Sequence, residues 1–475
     1  METSNIIGGD RIRASSGREL AVLDPATDEV VASVPDGGGA EATLAVDAAA
    51  RAFEEWRRVP PSDRATVMRG FAESLISERE RLGLLLSREQ GKPVPEAMKE
   101  VDYAASFLPI AADAAEALQI ENLDVPGKAV EVHHRPVGIC AAVTPWNFPL
   151  AMIAKKSAPA MASGSVQVIK PAEQTPLSAI AFVELAEGAG IPPGVLNVVT
   201  GDAADIGRTL LGDRRVRKLS FTGSTEVGRL LMREASQGLQ KLSLELGGHA
   251  PFLVFEDASM ERAVEVAMTS KFRNAGQTCV CPNRFLVHHS RHDEFVERLC
   301  ERASSLVSGR GDAPGVDLGP LIDDRAVRKV EEHVADAVSR GAAIACGGGR
   351  RTLPGLTDRF PEPTVLLDAG PGMRCWTEET FGPVCPVRAF SEEEEAIEIA
   401  NASEYGLASY AVTTDHARIR RLGSSLETGI IGINDGVPAI ASVPFGGLKQ
   451  SGFGREGGRG GVEEYLETVT VSSIP

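Results

Sequence analysis

The chain alternates between stretches with helical hydrophobic spacing and short runs of β-prone residues. Residues 1–38 predict an edge hairpin at 20–23 and 30–34, and amphipathic helices are predicted at 41–58, 62–90 and 95–118. Strands then follow at 129–134, 138–143, 166–170, 196–199, 218–221 and 241–246, with helices at 149–161, 176–188, 203–211 and 225–234. This alternation predicts an α/β fold with a doubly wound parallel sheet and a nucleotide at its carboxyl edge.

A second α/β series follows Gly247 and Gly248. Its strands are predicted at 252–255, 284–288, 384–390, 407–412 and 429–433, separated by further helices. A chain of 475 residues is too long for one hydrophobic core, so two or three domains are expected. The last stretch, residues 467–473, alternates apolar and polar positions, which is typical of a tail that pairs with another subunit.

Composition narrows the class of partner. The 49 basic and 66 acidic residues give a net charge of −17, which disfavours nucleic acid and anionic membranes and favours a small polar substrate. Seven cysteines without the spacing of a small disulfide scaffold indicate a reducing compartment, so we expect a cytoplasmic protein. Neither a signal-peptide pattern nor a membrane-spanning apolar run is found, and no metal site is predicted.

Cys279 lies in a predicted turn between a helix at 259–272, which residues 274–276 stop, and a strand that begins at Arg284. Such turns often display nucleophiles, although a free cysteine is more often a small core residue. Glu245, at the carboxyl end of an apolar strand, could act as a general base if burial raises its pKa, or it could be structural. Asn147 follows another apolar strand and could donate to an oxyanion, although alone its segment is only a turn.

Two segments indicate a dinucleotide site. Residues 221–228 combine a strand, a glycine-rich turn and a helix N-terminus that could face a pyrophosphate, although they do not match G-x-G-x-x-G. Lys170 and Glu173 follow a strand of the parallel series and could hydrogen-bond ribose hydroxyls. Because a carboxylate at Glu173 would repel a 2′-phosphate, NAD⁺ is the expected cofactor, with NADP⁺ as the alternative.

Seven blocks, in one order, resemble the aldehyde dehydrogenase family. They are Thr-Pro-Trp-Asn-Phe-Pro at 144–149, Lys-Pro-Ala-Glu at 170–173, Phe-Thr-Gly-Ser-Thr at 221–225, Leu-Glu-Leu-Gly-Gly at 244–248, Gly-Gln-Thr-Cys at 276–279, Glu-Glu-Thr-Phe-Gly-Pro at 378–383 and Pro-Phe-Gly-Gly-Leu-Lys at 444–449. The resemblance implies a cofactor domain at 1–120 and 143–245, a catalytic domain at 246–458, and oligomerisation segments at 121–142 and 459–475. It also implies a homodimer or homotetramer.

The same resemblance implies a role for each site residue. Cys279 attacks the aldehyde, Asn147 and the Cys279 backbone amide hold the oxyanion, hydride passes to NAD(P)⁺, and Glu245 activates water against the thioester. Lys156 and Glu456 match a proton-relay pair. The implied cofactor-binding residues are Thr144, Pro145, Trp146, Lys170, Glu173, Gly223, Ser224, Val227, Leu246, Gly247, Glu379 and Phe381.

Residues 217–225 and 271–281 resemble succinate-semialdehyde dehydrogenases, which implies that Arg273 binds a substrate carboxylate. Two positions depart from that subfamily: Lys155 stands where Arg is usual, and Ala439 where Ser is usual. A longer or bulkier acid semialdehyde is therefore also expected to fit. The alternatives are that Arg273 caps the preceding helix and that Lys155 is solvated.

Three further alternatives stay open in the sequence. A CoA-acylating enzyme is disfavoured because those relatives tend to lack the base at Glu245, and a non-catalytic binding protein is disfavoured because Cys279 and Asn147 are present. Cys281 could capture an oxidised Cys279 as a disulfide, or it could be a small packing residue.

Overall fold

The computed structural model describes residues 3–474. Its first elements are β1 (Asn5–Ile7), β2 (Asp10–Ile12), β3 (Glu19–Leu23), β4 (Val30–Pro35), α1 (Gly39–Trp56), α2 (Pro61–Ser77), α3 (Arg79–Gln90) and α4 (Val94–Glu116). Strands β3 and β4 form the predicted antiparallel hairpin. The single helix predicted at 62–90 is wrong: the backbone leaves the helical region at Glu78 (φ −97°, ψ 12°), and α2 and α3 pack separately on α4.

The next elements include the parallel strands of the first large sheet and two strands of a separate three-stranded sheet. They are β5 (Glu121–Val125), β6 (Lys128–Pro136), β7 (Ile139–Val143), α5 (Pro149–Ser163), β8 (Val166–Lys170), α6 (Leu177–Gly188), β9 (Leu196–Val198), α7 (Ala203–Gly212), β10 (Val216–Thr222), α8 (Thr225–Ala235) and β11 (Lys241–Glu245). Strands β9, β8, β7, β10 and β11 are parallel neighbours in that order, with β1 and β2 added antiparallel at one edge. The predicted parallel sheet is confirmed.

The remaining elements include the strands of the second large sheet and four strands that belong to other sheets. They are β12 (Ala250–Val254), α9 (Met260–Lys271), β13 (Pro282–His288), α10 (His292–Ser304), α11 (Asp324–Ser339), β14 (Ala343–Cys346), β15 (Thr364–Leu367), α12 (Arg374–Thr377), β16 (Val384–Phe390), α13 (Glu393–Asn401), β17 (Tyr405–Gly406), β18 (Ala408–Val412), α14 (His416–Ser425), β19 (Ile430–Ile433), β20 (Leu448–Lys449), β21 (Gly452–Phe453), α15 (Gly458–Glu463) and β22 (Leu466–Ser473), with short 3₁₀ helices at Arg273–Gly276 and His289–Arg291. The sheet order is β14-β15-β16-β13-β12-β18-β19, and β14 is its antiparallel strand. Strands β14 and β15 were not predicted from the sequence.

Each large sheet is packed into its own hydrophobic core. One core is built mainly from residues 6–246, and the other from residues 250–445. The chain returns to the first sheet late, because β21 pairs antiparallel with β11. This return brings the end of β11, where Glu245 lies, close to the segment that carries Glu456.

The terminal strand β22 pairs with β6 along its whole length, and β5 completes a three-stranded antiparallel sheet. Within the chain, residues 467–473 pair with β6 along one side of the strand, and pairing of this tail with another subunit stays a prediction. Across residues 3–474, no helix is long and apolar enough to cross a membrane. The division into domains stays a prediction.

Candidate active site

Cys279 lies in the loop between α9 and β13, half-buried in the wall of a cavity of about 830 Å³. Three successive residues shape this loop, because Asn274, Ala275 and Gly276 have φ angles of 51°, 53° and 79°. Left-handed backbone at non-glycine residues persists only where neighbours hold it, and it clusters at functional sites. The Asn274 side chain supplies one such restraint by donating to the carbonyl oxygen of Gln277 at 3.2 Å.

Glu245 ends β11 with only 3% of its surface exposed. Neither carboxylate oxygen has a hydrogen-bond partner within residues 3–474. Burial raises the pKa of this carboxyl, while the ammonium group of Lys155 opposes the rise. Burial and the adjacent Glu245 carboxylate likewise raise the pKa of the Cys279 thiol. The structure therefore brings the predicted nucleophile and the predicted base together, and both pKa values are raised by burial.

Asn147 lies in the loop between β7 and α5 and is almost fully buried. Its Nδ2 donates to the carbonyl oxygen of Gln277 at 3.0 Å, two residues before Cys279. The Asn274 side chain, in turn, donates to the backbone carbonyl oxygen of Asn147 at 3.0 Å. These bonds join the two loops directly and place the Asn147 amide beside the nucleophile loop, where it could donate to a developing oxyanion.

Glu456 is held between two adjacent lysines of α5. Lys156 donates to one of its carboxylate oxygens, and Lys155 Nζ lies 3.3 Å from the other. Lys156 also donates to Thr222 Oγ1 at 2.7 Å. Although burial alone raises the pKa of Glu456, Lys156 and Lys155 lower that pKa to about 2. The Glu456 carboxyl is therefore ionised near neutral pH.

Two cationic side chains line the cavity near Cys279. Arg273 is half-buried, its Nε has no hydrogen-bond partner in the described part of the chain, and its guanidinium lies 5.3 Å from the centre of the Phe148 ring. Lys155 is fully buried, with Nζ 3.1 Å from the centre of the Phe445 ring. The alternative of a solvated Lys155 is therefore wrong. Ala439 lies in the same wall and supplies no hydroxyl there.

The turn after β10 leads into the capped N-terminus of α8. Ser224 caps α8, its Oγ accepting from the N–H of Val227 at 3.3 Å. A Cβ atom at Gly223 would overlap the ring of Phe221, and one at Gly228 would lie 2.5 Å from Leu246 Cδ2. Side-chain-free backbone at a helix N-terminus fits the predicted pyrophosphate role of this segment.

The end of β8 carries the residues predicted to hold a ribose. Lys170 is buried, and its ammonium is paired with the carboxylate of Glu173, which is exposed. Thr144 and Pro145 follow β7 on the adjacent strand, and the Thr144 hydroxyl is buried without a partner among residues 3–474. An unpaired buried hydroxyl beside this pair is a group that a polar ligand could satisfy.

Glu379 contacts the segment that follows β11, and Phe381 lies two residues further along the same loop. Glu379 Oε1 accepts from the N–H of Gly248 at 3.0 Å, and a Cβ atom at Gly247 would lie 3.1 Å from Glu379 Oε2. Burial raises the pKa of Glu379 to about 7. Phe381, with φ 57°, packs edge-to-face on Trp146 at 5.6 Å between ring centres. The predicted nicotinamide-end residues thus lie beside the loop of Asn147 and the strand of Glu245.

Cys281 is buried, and its Sγ donates weakly to the carbonyl oxygen of Lys271 at 3.6 Å. Its thiol and that of Cys279 are both free. All seven cysteines are unpaired in the structure. Within residues 3–474, no group of three or more His, Cys, Asp or Glu side chains could hold a metal ion.

The sequence reading missed a buried ion pair behind this site. Lys92 Nζ donates to Glu100 Oε2 at 2.6 Å, and neither side chain is exposed. A signal was present: Glu100 occupies a core-facing position of α4, at helical spacing with Ala97, Val101 and Ala104. A charged residue at such a position is almost always paired when buried.

The comparisons with known proteins agree on one family. The sequence model of the aldehyde dehydrogenase family matches residues 12–471. Succinate-semialdehyde dehydrogenase NADP(+) of Escherichia coli K12 is 47% identical over 97% of this chain and 96% of its own length. Glutarate-semialdehyde dehydrogenase of Pseudomonas aeruginosa is 48% identical over 97% and 95%. The crystal structure of succinate-semialdehyde dehydrogenase from Burkholderia pseudomallei superposes with a TM-score of 0.98 at 46% identity, covering 100% of this chain and 98% of that one.

The chain therefore belongs to the aldehyde dehydrogenase family. It is an oxidoreductase that oxidises an aldehyde with NAD(P)⁺, and the predictions of fold class, family and enzyme class are confirmed. The residue roles and the preference between NAD⁺ and NADP⁺ stay predictions.

Proposed function

We propose that this protein oxidises an aldehyde that carries a carboxylate, such as succinate semialdehyde or a longer acid semialdehyde, to the carboxylic acid. The main observation behind this proposal concerns Arg273, which lies in the wall of the cavity that contains Cys279. Its Nε is buried and has no hydrogen-bond partner among residues 3–474. A buried guanidinium N–H left unpaired is costly, and a carboxylate satisfies it well. Relatives named for succinate and glutarate semialdehydes support an acidic substrate.

Cys279 carries the acyl group through the reaction. Its thiolate attacks the aldehyde carbon, and the Asn147 amide with the Cys279 backbone N–H stabilises the oxyanion. NAD(P)⁺, when bound along the first sheet, would accept the hydride that leaves the carbon of this adduct, so that Cys279 is left holding a thioester. Glu245 then takes a proton from the water that attacks the thioester carbonyl, and the acid leaves as the thiolate is restored. The raised pKa of Glu245 suits a base that must accept this proton.

The proton taken by Glu245 needs a route away from this buried carboxyl. Lys156 and Glu456 provide one, because the lysine contacts both Glu456 and Thr222 and the cluster lies near Glu245. We assign the pair to proton relay rather than to direct contact with the substrate. Lys155 sits at the junction of this cluster and the substrate cavity.

The dinucleotide would lie along the carboxyl edge of the first sheet. Lys170 and Glu173 would hold the adenosine ribose, Ser224 the pyrophosphate, and Glu379 with Phe381 the nicotinamide end. The backbone around these side chains would come from Thr144, Pro145, Trp146, Gly223, Val227, Leu246 and Gly247. The exposed Glu173 carboxylate supports a preference for NAD⁺ over NADP⁺.

The same proposal includes the organisation of the chain. Residues 1–120 and 143–245 would form the cofactor domain, 246–458 the catalytic domain, and 121–142 with 459–475 the oligomerisation segments of a homodimer or homotetramer. The exposed strand β5 at the edge of the three-stranded sheet supports an assembly role. Seven free cysteines support a reducing, cytoplasmic location.

A second candidate is a longer, bulkier or neutral aldehyde. The cavity of about 830 Å³ is much larger than a four-carbon acid requires, and much of its wall is apolar. Because Lys155 is a point charge already paired with Glu456, and Ala439 supplies no hydroxyl, a short carboxylate is held by fewer groups than two arginines and a serine would provide.

Steady-state rates on aldehydes of matched length, with and without a terminal carboxylate, separate these candidates. We expect lower KM for the acids. Arg273→Ala should raise KM for acidic aldehydes about 10- to 100-fold, because that is the effect expected when charge-assisted hydrogen bonds are lost. KM for neutral aldehydes should change little. Arg302→Ala, at an exposed arginine of the same cavity, is the matched control. Equal effects of Arg273→Ala on both classes would contradict an acidic substrate.

A further inference from the structure

Lys92 and Glu100 form an ion pair with neither side chain exposed to solvent. Taking two charges out of water is costly even when they attract each other, so a fully enclosed pair is weak evidence for stability. Lys92 lies just after α3, and Glu100 lies in the second turn of α4. Their remaining hydrogen bonds show which part of the molecule they hold.

Both partners bind the segment that carries Asn147. Lys92 Nζ donates to the backbone carbonyl oxygen of Asn147 at 2.8 Å. Glu100 Oε1 accepts from the N–H groups of Leu150 and Ala151 at 3.0 and 3.1 Å. The pair therefore restrains this segment at two points, before and after the start of α5.

The contact from Glu100 is well suited to the first turn of α5. The first N–H groups of a helix have no partner within the helix, and the positive end of the helix dipole favours a carboxylate there. No side chain caps α5 from its own N-cap position. Glu100 thus supplies from α4 the acceptor that the local sequence of α5 does not.

The Asn147 side chain is held from the opposite side by the nucleophile loop. Its Nδ2 donates to the carbonyl oxygen of Gln277. The backbone carbonyl oxygen of Asn147 accepts from Asn274 Nδ2 as well as from Lys92 Nζ. Asn274 is in turn held by Gln90 Nε2, which donates to Asn274 Oδ1 at 2.9 Å. The direction of the Asn147 amide is therefore set jointly by the backbone that Lys92 fixes and by the loop of Cys279.

We propose that the buried Lys92–Glu100 pair positions the Asn147 amide for the oxyanion, acting through the Asn147 carbonyl oxygen and the first turn of α5. The inference rests on the oxyanion role proposed above for Asn147. Glu100 lines the cavity but Lys92 does not, so the effect of Lys92 on the reaction passes through Asn147 rather than through contact with the substrate, and Lys92 is the partner to change.

A double-mutant cycle between Lys92 and Asn147 tests this role. Lys92→Met removes both hydrogen bonds and keeps an unbranched side chain, and we expect kcat to fall about 10- to 100-fold, as when a reacting group is misplaced. KM should change less than about threefold. In the Asn147→Ala background, Lys92→Met should lower kcat by less than about threefold, because the group that it positions is gone.

Two controls separate positioning from general loss of structure. Arg328→Met, at an exposed arginine of α11, should leave kcat and the melting temperature unchanged. A stability effect of Lys92→Met would lower the melting temperature equally in both backgrounds, whereas the positioning effect lowers kcat in only one. If Lys92→Met does not fold, Glu100→Gln keeps the shape of the side chain and is compared in the same two backgrounds.

The outcomes are distinct. Equal losses of kcat in both backgrounds would overturn the positioning role and leave the oxyanion role of Asn147 standing. A normal kcat in Asn147→Ala itself would overturn both. A loss seen only where Asn147 is present would establish the proposal.

Discussion

The backbone of Gly248 lies so close to Cys279 that a Cβ atom at position 248 would overlap the Cys279 carbonyl oxygen. This contact brings the segment after β11 against the nucleophile loop. Glu245 ends that strand three residues earlier, and Glu379 holds the same segment through the N–H of Gly248. A glycine is therefore needed at 248 to keep the base and the nucleophile in one site.

Removing the nucleophile and removing the base should stop the reaction at different points. Cys279→Ala should lower kcat by about 10⁴-fold or more, because no thioester can form. Glu245→Gln should still give a burst of NADH and then stall, because water is no longer activated. Rapid-mixing absorbance at 340 nm distinguishes the two. Wild-type turnover by Cys279→Ala would refute the nucleophile assignment.

The cofactor preference should depend on Glu173. We expect kcat/KM for NAD⁺ to exceed that for NADP⁺ by about tenfold or more, since the exposed carboxylate repels a 2′-phosphate. The partnered Lys170 makes the repulsion smaller than for a free carboxylate. Glu173→Ser should reduce the preference, while Glu73→Ser on an exposed face of α2 should not. Tighter binding of NADP⁺ than NAD⁺ by the wild type would count against this role.

The acidic limb of the pH profile of kcat should respond to Lys155. Glu245 acts as a base only when deprotonated, so kcat falls as the pH drops through its raised pKa. Lys155 opposes that rise. Lys155→Met should therefore move the acidic limb to higher pH for acidic and neutral aldehydes alike, and Lys155→Arg should keep it in place. An unmoved limb in Lys155→Met would assign Lys155 to the substrate alone.

Oxidation should distinguish the two cysteines of the nucleophile loop. We expect inactivation by hydrogen peroxide to be reversed by dithiothreitol in the wild type, because Cys281 captures the oxidised Cys279 as a disulfide. Cys281 is buried with its thiol bonded toward Lys271, so this capture requires the loop to rearrange. Equal recovery of Cys281→Ala would show that Cys281 is only a packing residue.

The elements that the sequence predicted well are those with local causes. Alternating apolar strands and amphipathic helices indicated both parallel sheets, and the motif blocks marked Cys279, Glu245 and Asn147. The helix break at Glu78 was not visible, because the residues around it all favour helix and only packing against α4 separates α2 from α3. The partner of residues 467–473 was also not visible, because an alternating strand pairs equally well with any free edge.

The amino-acid sequence by itself determined the class of this protein, since the nucleophile, the base and the glycine turns are set by residue type and spacing along the chain. Only the tertiary structure decided which charges share a site. It placed Lys155 and Lys156 on one carboxylate, Glu456, although the chain separates them by about three hundred residues. It also put Glu100 behind Asn147. The physical reason is that charge pairing inside a core depends on which elements pack together, and packing depends on the whole chain rather than on any local stretch.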